Sequence, residues 1–199
     1  MGVPEEQDTP PTFGPTALAT PANLVTVARI AASPVFIWMI AAWGPRWATF
    51  WTGFAIAMTD YLDGLLARRH GATRAGAFLD PLADKVLVLG GLAALAWNGQ
   101  FHAVPVIVIA VRELAISAYR SRAGRKGISV PATQLAKWKT FVQLWAIGFA
   151  VMPSLATHAH WVATLTLWVA VVLTVWTGWS YLRSARGAAA PQPGDDRGD

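Results

Sequence analysis

The stretch from Asp60 to Asp84, DYLDGLLARRHGATRAGAFLDPLAD, places four aspartates between two long apolar segments. The aspartates form two pairs, Asp60 with Asp63 and Asp80 with Asp84. Spacings of three or four residues bring both carboxylates of a pair to one face of a helix. An acidic residue costs about 2.5–3.5 kcal/mol at the centre of a membrane helix, so it usually has a functional role or a partner. These two pairs are therefore the first candidates for a functional site.

The composition around this stretch predicts a membrane protein. Of the 199 residues, 54% are hydrophobic and only 14% are charged, with a mean hydropathy of +0.40. A soluble domain carries about 25% charged residues, so a water-facing globule of this size is disfavoured. The chain has no cysteine, which excludes a disulfide framework, thiol catalysis and cysteine-based metal sites.

Six mostly apolar stretches are each long enough to cross a hydrocarbon core of about 30 Å. The predicted spans cover residues 24–43, 47–67, 78–97, 103–119, 135–155 and 161–182. The expected fold class is all-α, a polytopic membrane protein whose six transmembrane helices form one catalytic domain over residues 20–186. Residues 1–19 are expected to form a flexible cytoplasmic N-terminal tail, and residues 187–199 a disordered cytoplasmic C-terminal tail.

The basic residues are concentrated in alternate connections. Arginines and lysines cluster after the second, fourth and sixth spans, whereas the opposite connections hold Arg46 and the histidines His102, His158 and His160. The positive-inside rule then predicts a multi-pass protein of the plasma (inner) membrane, with both termini and the four aspartates on the cytoplasmic side. The formal charge of +5 indicates topology rather than nucleic-acid binding. His158 and His160 are expected to be surface residues of the outer side.

Four mutually close carboxylates predict a site for divalent cations. They repel one another unless protons or cations intervene, and oxygen ligands at this density suit Mg²⁺, Mn²⁺ or Ca²⁺. Paired metals held by acidic residues serve displacement at phosphorus. Gly64 leaves room for a ligand beside the backbone, and Arg68, one turn later, is placed to bind a phosphate. The short connection makes the two helices antiparallel neighbours, with the loop over residues 69–76.

The pattern Asp60-x-x-Asp63-Gly64-x-x-Ala67-Arg68, seven residues, then Gly76-x-x-x-Asp80-x-x-x-Asp84 resembles the signature of the CDP-alcohol phosphatidyltransferases. The resemblance extends from about Pro21 to Tyr181 and leaves out both tails. It implies a homodimeric six-helix enzyme in which an alcohol attacks the β-phosphorus of a CDP-linked lipid and CMP leaves.

The resemblance also implies roles for individual residues. The four aspartates would bind two Mg²⁺ or Mn²⁺ ions, and Asp84 would also be the general base. The cytidine diphosphate would be contacted by Gly64, Arg68 and Thr73, with Asn23, Thr26 and Arg29 closing over it. The alternatives are polar pairing between helices for the aspartates and simple helix capping for Asn23 and Thr26.

Four segments resemble the phosphatidylglycerophosphate synthase subfamily. They are NLVTVAR at 23–29, FLDPLADK at 78–85, VREL at 111–114 with Tyr119-Arg120, and LAKWKT at 135–140. Ala22 departs from the pattern, because a proline usually precedes the asparagine. This resemblance implies transfer of the phosphatidyl group from CDP-diacylglycerol to sn-glycerol 3-phosphate.

Charge placement agrees with an anionic acceptor. Arg112 lies midway along a predicted span, which is a costly position, and Arg120 lies about 80° round the same helix. Lys137 and Lys139 open the next span, so the four cations are candidates for binding the acceptor phosphate. For Arg112 the alternative is an ion pair with an acidic residue on another helix, since Glu113 is adjacent in sequence and is expected to face elsewhere. For the lysines the alternative is the positive-inside bias.

Other functions compete with this interpretation. Within the family they are a cardiolipin synthase and an inositol-phosphate transferase. Outside it, a divalent-cation transporter also carries intramembrane carboxylates, but it predicts polar residues through the whole membrane thickness, and the outer halves of these spans have almost none. A catalytically inactive scaffold is disfavoured by the complete set of four aspartates.

Overall fold

The computed structural model describes the backbone over residues 21–70, 74–125 and 134–188, and side chains over residues 23–59, 79–122 and 138–179. Within the described backbone every regular element is an α-helix, so the all-α class is confirmed. The helices are α1 (Pro21–Trp43), α2 (Trp47–His70), α3 (Arg74–Trp97), α4 (Ala103–Arg125), α5 (Gln134–Val151), α6 (Pro153–His158) and α7 (His160–Ala188). Both predicted tails lie largely outside the described residues.

The fifth helix ends earlier than the predicted span 135–155, so that boundary was wrong. Met152 is extended, with φ −74° and ψ 116°, and Pro153 opens the short helix α6. Proline has no N–H to donate and its ring clashes with the preceding turn, so a helix ends before it and a new one starts from it.

The expected loop over residues 69–76 is mostly helical. The second helix continues to His70 and the third begins at Arg74, because the Leu, Ala and Arg residues before Gly71 are good helix formers. Asp80 and Asp84 therefore lie about one turn further inside α3 than predicted. Over the described parts of α2 and α3, the main neighbour of each is α1 rather than the other helix.

Specific contacts fix how the helices run. Thr26 bonds to Asp80, and Ile37 packs against Gly90, so α1 and α3 are parallel. The second large pairing joins α5 with α7, which also packs on α4. The fully buried apolar side chains include Ile40, Leu92, Leu95, Ile109 and Leu167. They come from the C-terminal halves of α1 and α3 and the N-terminal halves of α4 and α7, so one end of the bundle is apolar.

The opposite end of the bundle buries polar side chains. The buried polar residues include Asn23, Thr26, Arg29, Ser33, Lys139, Gln143, Thr174 and Thr177. They come from the initial and middle parts of α1 and α5 and the final half of α7. The exception is Thr49 near the start of α2, whose hydroxyl bonds to the Gly44 carbonyl. The direction of the helices thus sorts the interior into an apolar half and a polar half.

Two helices are long and apolar enough to cross a membrane, judged by length and composition over the described residues. They cover Asn23–Trp43, with 21 residues, and His160–Trp179, with 20 residues. The expected count of six spans is not established by this measure.

A close approach of α1 to α2 requires glycine at position 53. A Cβ at Gly53 would lie 2.6 Å from ring carbons of Phe36, whose side chain is buried. We expect Gly53→Ala to destabilise the fold by about 1–3 kcal/mol, because an overpacked aromatic ring must shift. Thermal unfolding of the detergent-solubilised protein measures this loss.

Gly148→Ala in α5 is the matched control. A Cβ there meets no atom within 4 Å, so the higher helix propensity of alanine should leave the melting temperature unchanged or raised. Equal melting temperatures for the two variants would contradict the packing of α1 on α2.

Candidate active site

A cavity of about 510 Å³ opens between α3, α4 and α5 in the polar half of the bundle. Its charged lining residues are Asp80, Asp84, Lys85, Arg112, Glu113, Arg120 and Lys139. The aspartates lie on the α3 wall, and most of the cations lie on the α4 and α5 walls. One cavity therefore brings together carboxylates and cations that are distant in sequence.

The carboxylate wall is tied to α1. The Thr26 hydroxyl donates to Asp80 Oδ1 at 2.8 Å, which shows that Thr26 bridges two helices and that capping of α1 is the wrong interpretation of this residue. Asn23 is also buried, at 3% exposure. The Asp84 side chain remains 43% exposed. Asp84 is thus open to the cavity, which it lines together with Asp80.

Arg29 is buried beside this carboxylate. Its Nε donates to Thr59 Oγ1 on α2 at 3.4 Å, and its Nη1 lies 3.5 Å from Asp84 Oδ1 on α3. The Arg29 side chain has no exposed area. A single guanidinium therefore connects three helices and places a positive charge next to Asp84.

The cations of the α4 and α5 walls are held by Glu113, a carboxylate that the sequence pattern predicted to face away from Arg112. Arg112 Nη1 donates to Glu113 Oε1 at 3.0 Å, and Lys139 Nζ donates to the same oxygen. The expectation that Glu113 faces away from Arg112 was wrong. Sequence spacing fixes the direction of Cβ, but a long arginine side chain can bend round the helix to reach a carboxylate that would otherwise be buried unpaired.

Arg112 is also fixed by α7. Its Nη2 donates to Thr177 Oγ1 at 2.7 Å, and a Cβ on Gly178 would lie 3.3 Å from Arg112 Nε. Glycine at this position lets α7 approach the guanidinium closely. Among the described residues Arg112 Nε is buried without a hydrogen-bond partner, so the side chain is held by contacts at its two terminal nitrogens.

Sequence reasoning gave no role to several residues of this site and of the polar network attached to it. Glu113 carried a signal, because it is an acidic residue within an apolar helix. Thr177 lies three residues after Thr174, and Gln143 Nε2 donates to Thr174 Oγ1 at 3.1 Å, which extends the polar network to α5. Lys85 follows Asp84 directly; its Nζ donates to the Pro81 carbonyl at 3.1 Å on the cavity wall.

The remaining expected site residues divide into two groups. Arg120 is exposed and lines the cavity. The structure does not describe the side chains of Asp60, Asp63, Arg68 and Lys137. Gly64 is described only as part of α2, and Thr73 lies outside the described residues. Within the described side chains no group of three or more potential metal ligands is found, and only Asp80 and Asp84 of the four expected aspartates belong to that part of the chain.

A second, smaller cavity of about 170 Å³ lies at the apolar end. His102 and His160 both line it. His158 is exposed, as expected, but His160 is half-buried with its Nε2 enclosed and unpartnered among the described residues. The prediction of a surface position for His160 was wrong because its ring packs beside Phe101, with centroids 6.4 Å apart.

Comparison with known proteins bears on this arrangement. The family model described as CDP-alcohol phosphatidyltransferase matches residues 19–176. A Mycobacterium tuberculosis protein named "Probable phosphatidylglycerophosphate synthase" is 37% identical over 191 residues, covering 93% of this chain and 90% of the relative. Proteins named CDP-diacylglycerol–glycerol-3-phosphate 3-phosphatidyltransferase are also similar. The one from Rickettsia bellii is 34% identical over 82% of this chain and 94% of its own length. The one from Pectobacterium atrosepticum is 36% identical over 82% of this chain and 93% of its own length.

The family match spans most of the chain, including α1 to α5 and the cavity lined by Asp80 and Asp84. The matched region also covers at least 90% of the length of these relatives. The resemblance carried by the four-aspartate pattern is confirmed, and this chain belongs to the CDP-alcohol phosphatidyltransferase family.

Proposed function

We propose that this protein transfers the phosphatidyl group from CDP-diacylglycerol to sn-glycerol 3-phosphate, giving phosphatidylglycerophosphate and CMP. The observation that carries this proposal is the single cavity with Asp80 and Asp84 on one wall and Arg112, Arg120 and Lys139 on the others. Such a cavity fits an acceptor with a reacting hydroxyl at one end and a phosphate at the other. The names of the similar proteins support the same acceptor.

Asp80 and Asp84, with Asp60 and Asp63 from α2, are the residues that would hold two Mg²⁺ or Mn²⁺ ions. The donor chemistry of the described pair fits, because both are carboxylates one helical turn apart and Asp84 is open to the cavity. When bound, such ions neutralise the diphosphate and make its phosphorus more electrophilic.

The chain's own residues position both substrates. The oxygen of the acceptor hydroxyl bonds to the β-phosphorus, and Asp84 accepts the proton of that hydroxyl. The bond from the same phosphorus to the CMP oxygen breaks. Arg29, buried on α1, contacts Asp84 Oδ1 and so fixes the orientation of this carboxylate. Arg112, Arg120, Lys137 and Lys139 bind the acceptor phosphate. Gly64, Arg68 and Thr73 contact the cytidine diphosphate. Thr26 and Arg29, which are buried like Asn23, support this site by holding Asp80 and Asp84.

The exposure of the apolar residues supports a six-span membrane domain. All eleven tryptophans are exposed, from 43% for Trp43 to 87% for Trp97. Exposed tryptophans and phenylalanines occur on α2 and α5 as well as on the two most apolar helices, as at Trp51, Phe141 and Trp145. A soluble protein does not leave so many large apolar side chains in water while burying arginine and lysine, so a bilayer is the solvent that fits this surface.

In this arrangement the cavity lies at the cytoplasmic side of the plasma (inner) membrane, in accord with the positive-inside rule. The lipid tails stay in the bilayer while the headgroup meets a water-soluble acceptor. The functional unit is a homodimer by family resemblance. Membership of a transferase family and the apolar opposite end of the bundle favour this enzyme over a divalent-cation transporter.

The acceptor assignment is tested by supplying the purified protein with CDP-diacylglycerol and one acceptor at a time. We expect CMP release and phosphatidylglycerophosphate formation with sn-glycerol 3-phosphate, because its phosphate matches the cationic walls. Phosphatidylglycerol and inositol phosphate are the comparison acceptors. Robust turnover with either of them and none with sn-glycerol 3-phosphate would replace this proposal with the corresponding activity.

Asp84→Asn tests the proposed base. We expect turnover to fall by about a hundredfold or more, since the amide cannot accept the hydroxyl proton, while expression and oligomeric state are unchanged. Asp195→Asn makes the same chemical change at a residue beyond the family match, which ends at residue 176, and should retain full activity. Turnover of the Asp84 variant at the level of this control would remove Asp84 from the mechanism.

Arg112→Gln tests the acceptor phosphate site. Loss of a charged hydrogen bond to phosphate is expected to raise the KM for sn-glycerol 3-phosphate about tenfold to a hundredfold, with a much smaller change in the KM for CDP-diacylglycerol. Arg46→Gln is the control, because Arg46 is exposed in the connection between α1 and α2. Equal increases in both KM values would show that Arg112 has only a structural role.

A further inference from the structure

Glu113 is a carboxylate in the wall of a cavity that is proposed to bind an anion. Its side chain is only 13% exposed, and one oxygen, Oε1, accepts from both Arg112 and Lys139. Among the described residues no hydrogen bond reaches the other oxygen, Oε2. The fully buried unpartnered side-chain atoms in the described part of the chain are Arg112 Nε and His160 Nε2. Oε2 is not one of these atoms, and the residue to which it belongs lines the cavity.

The charge of Glu113 restricts what can lie against Oε2. A phosphate group would be repelled by the carboxylate, so Oε2 is not the position of the acceptor phosphate, which is proposed to bind the cations Arg112, Arg120 and Lys139 instead. An ionised carboxylate has only acceptor sites, so a neutral hydroxyl donor is the group that suits it. A hydrogen bond from a hydroxyl to a charged acceptor is also shorter and stronger than a neutral one.

The proposed acceptor has one hydroxyl left to place. Its primary hydroxyl attacks the β-phosphorus and gives its proton to Asp84 on the α3 wall. Its phosphate meets the cations. The secondary hydroxyl, on the carbon between these two groups, needs an acceptor from another wall, and Glu113 on α4 is the remaining described carboxylate of the cavity.

We infer that Glu113 is a specificity-determining residue whose Oε2 accepts a hydrogen bond from the secondary hydroxyl of the acceptor while Oε1 holds Arg112 and Lys139 in place. This inference rests on the proposed function. It adds recognition of a vicinal hydroxyl to recognition of a phosphate, and it assigns the two tasks to different residues.

The test compares two acceptors that differ only in the secondary hydroxyl. They are sn-glycerol 3-phosphate and 3-hydroxypropyl phosphate, which keeps the primary hydroxyl and the phosphate. We expect the wild-type protein to prefer sn-glycerol 3-phosphate about tenfold to a hundredfold in kcat/KM, the range for a lost charged hydrogen bond. In Glu113→Gln the neutral amide should reduce this preference about tenfold.

Thr177→Val is the matched control for a structural effect. It removes the other hydrogen bond to Arg112 but no group that faces the acceptor's secondary hydroxyl. We expect it to lower kcat/KM for both acceptors by the same factor and to keep the wild-type preference. A Glu113→Gln variant that behaves in this way would overturn the inference, because Glu113 would then only hold the cations.

The wild-type measurement keeps the inference testable even where Glu113→Gln fails to fold. Equal kcat/KM values of the wild-type protein for the two acceptors would show that no residue reads the secondary hydroxyl, which overturns the role of Glu113 while leaving the proposed function intact. Failure of the wild-type protein to use sn-glycerol 3-phosphate, with turnover of another acceptor, overturns the proposed function itself and this inference with it.

Discussion

The pairing of buried charges is the constraint on which the polar half of the bundle depends. An ion removed from water costs several kcal/mol unless a partner of good geometry compensates. The Arg29 side chain is fully buried and finds its partners on α2 and α3. Arg112 and Lys139 find theirs in Glu113, which joins α4 to α5. Each pairing links different helices, so the charges that are expensive to bury restrict how those helices can be placed.

The apolar half of the bundle works under a weaker constraint. Ile40, Leu92 and Ile109 are fully buried there, and they need only fill space at normal density. Apolar packing tolerates exchange of one aliphatic side chain for another of similar volume, whereas removing the partner of a buried ion costs about 3–5 kcal/mol. The division has a chemical consequence. The charged groups that line the cavity are collected at one end of the bundle, and the other end remains apolar.

The sequence predicted the parts of this structure that depend on local pattern. Apolar runs indicated the helices, and the spacing of Asp80 and Asp84 indicated a shared face toward a site. Features that depend on tertiary contacts were not predicted from the sequence. Pro153 divides the last part of the fifth span because a ring clash overrides hydropathy. Glu113 was placed on the wrong side because spacing rules describe Cβ directions and not the reach of a long side chain. Thr177 gave little signal, since a lone threonine in an apolar helix is common.

The paired network also changes how the cationic wall works as a binding site. A cavity lined by cations alone would attract any phosphate, including the diphosphate of the other substrate and free inorganic phosphate. A carboxylate placed among the cations reduces the net charge and repels groups that present negative charge at that point, which is a repulsive contribution to specificity. Because Oε1 of Glu113 is committed to Arg112 and Lys139, the carboxylate cannot turn away without leaving both cations unpaired. The ionic contacts that join α4 to α5 therefore keep the carboxylate charge in the cavity.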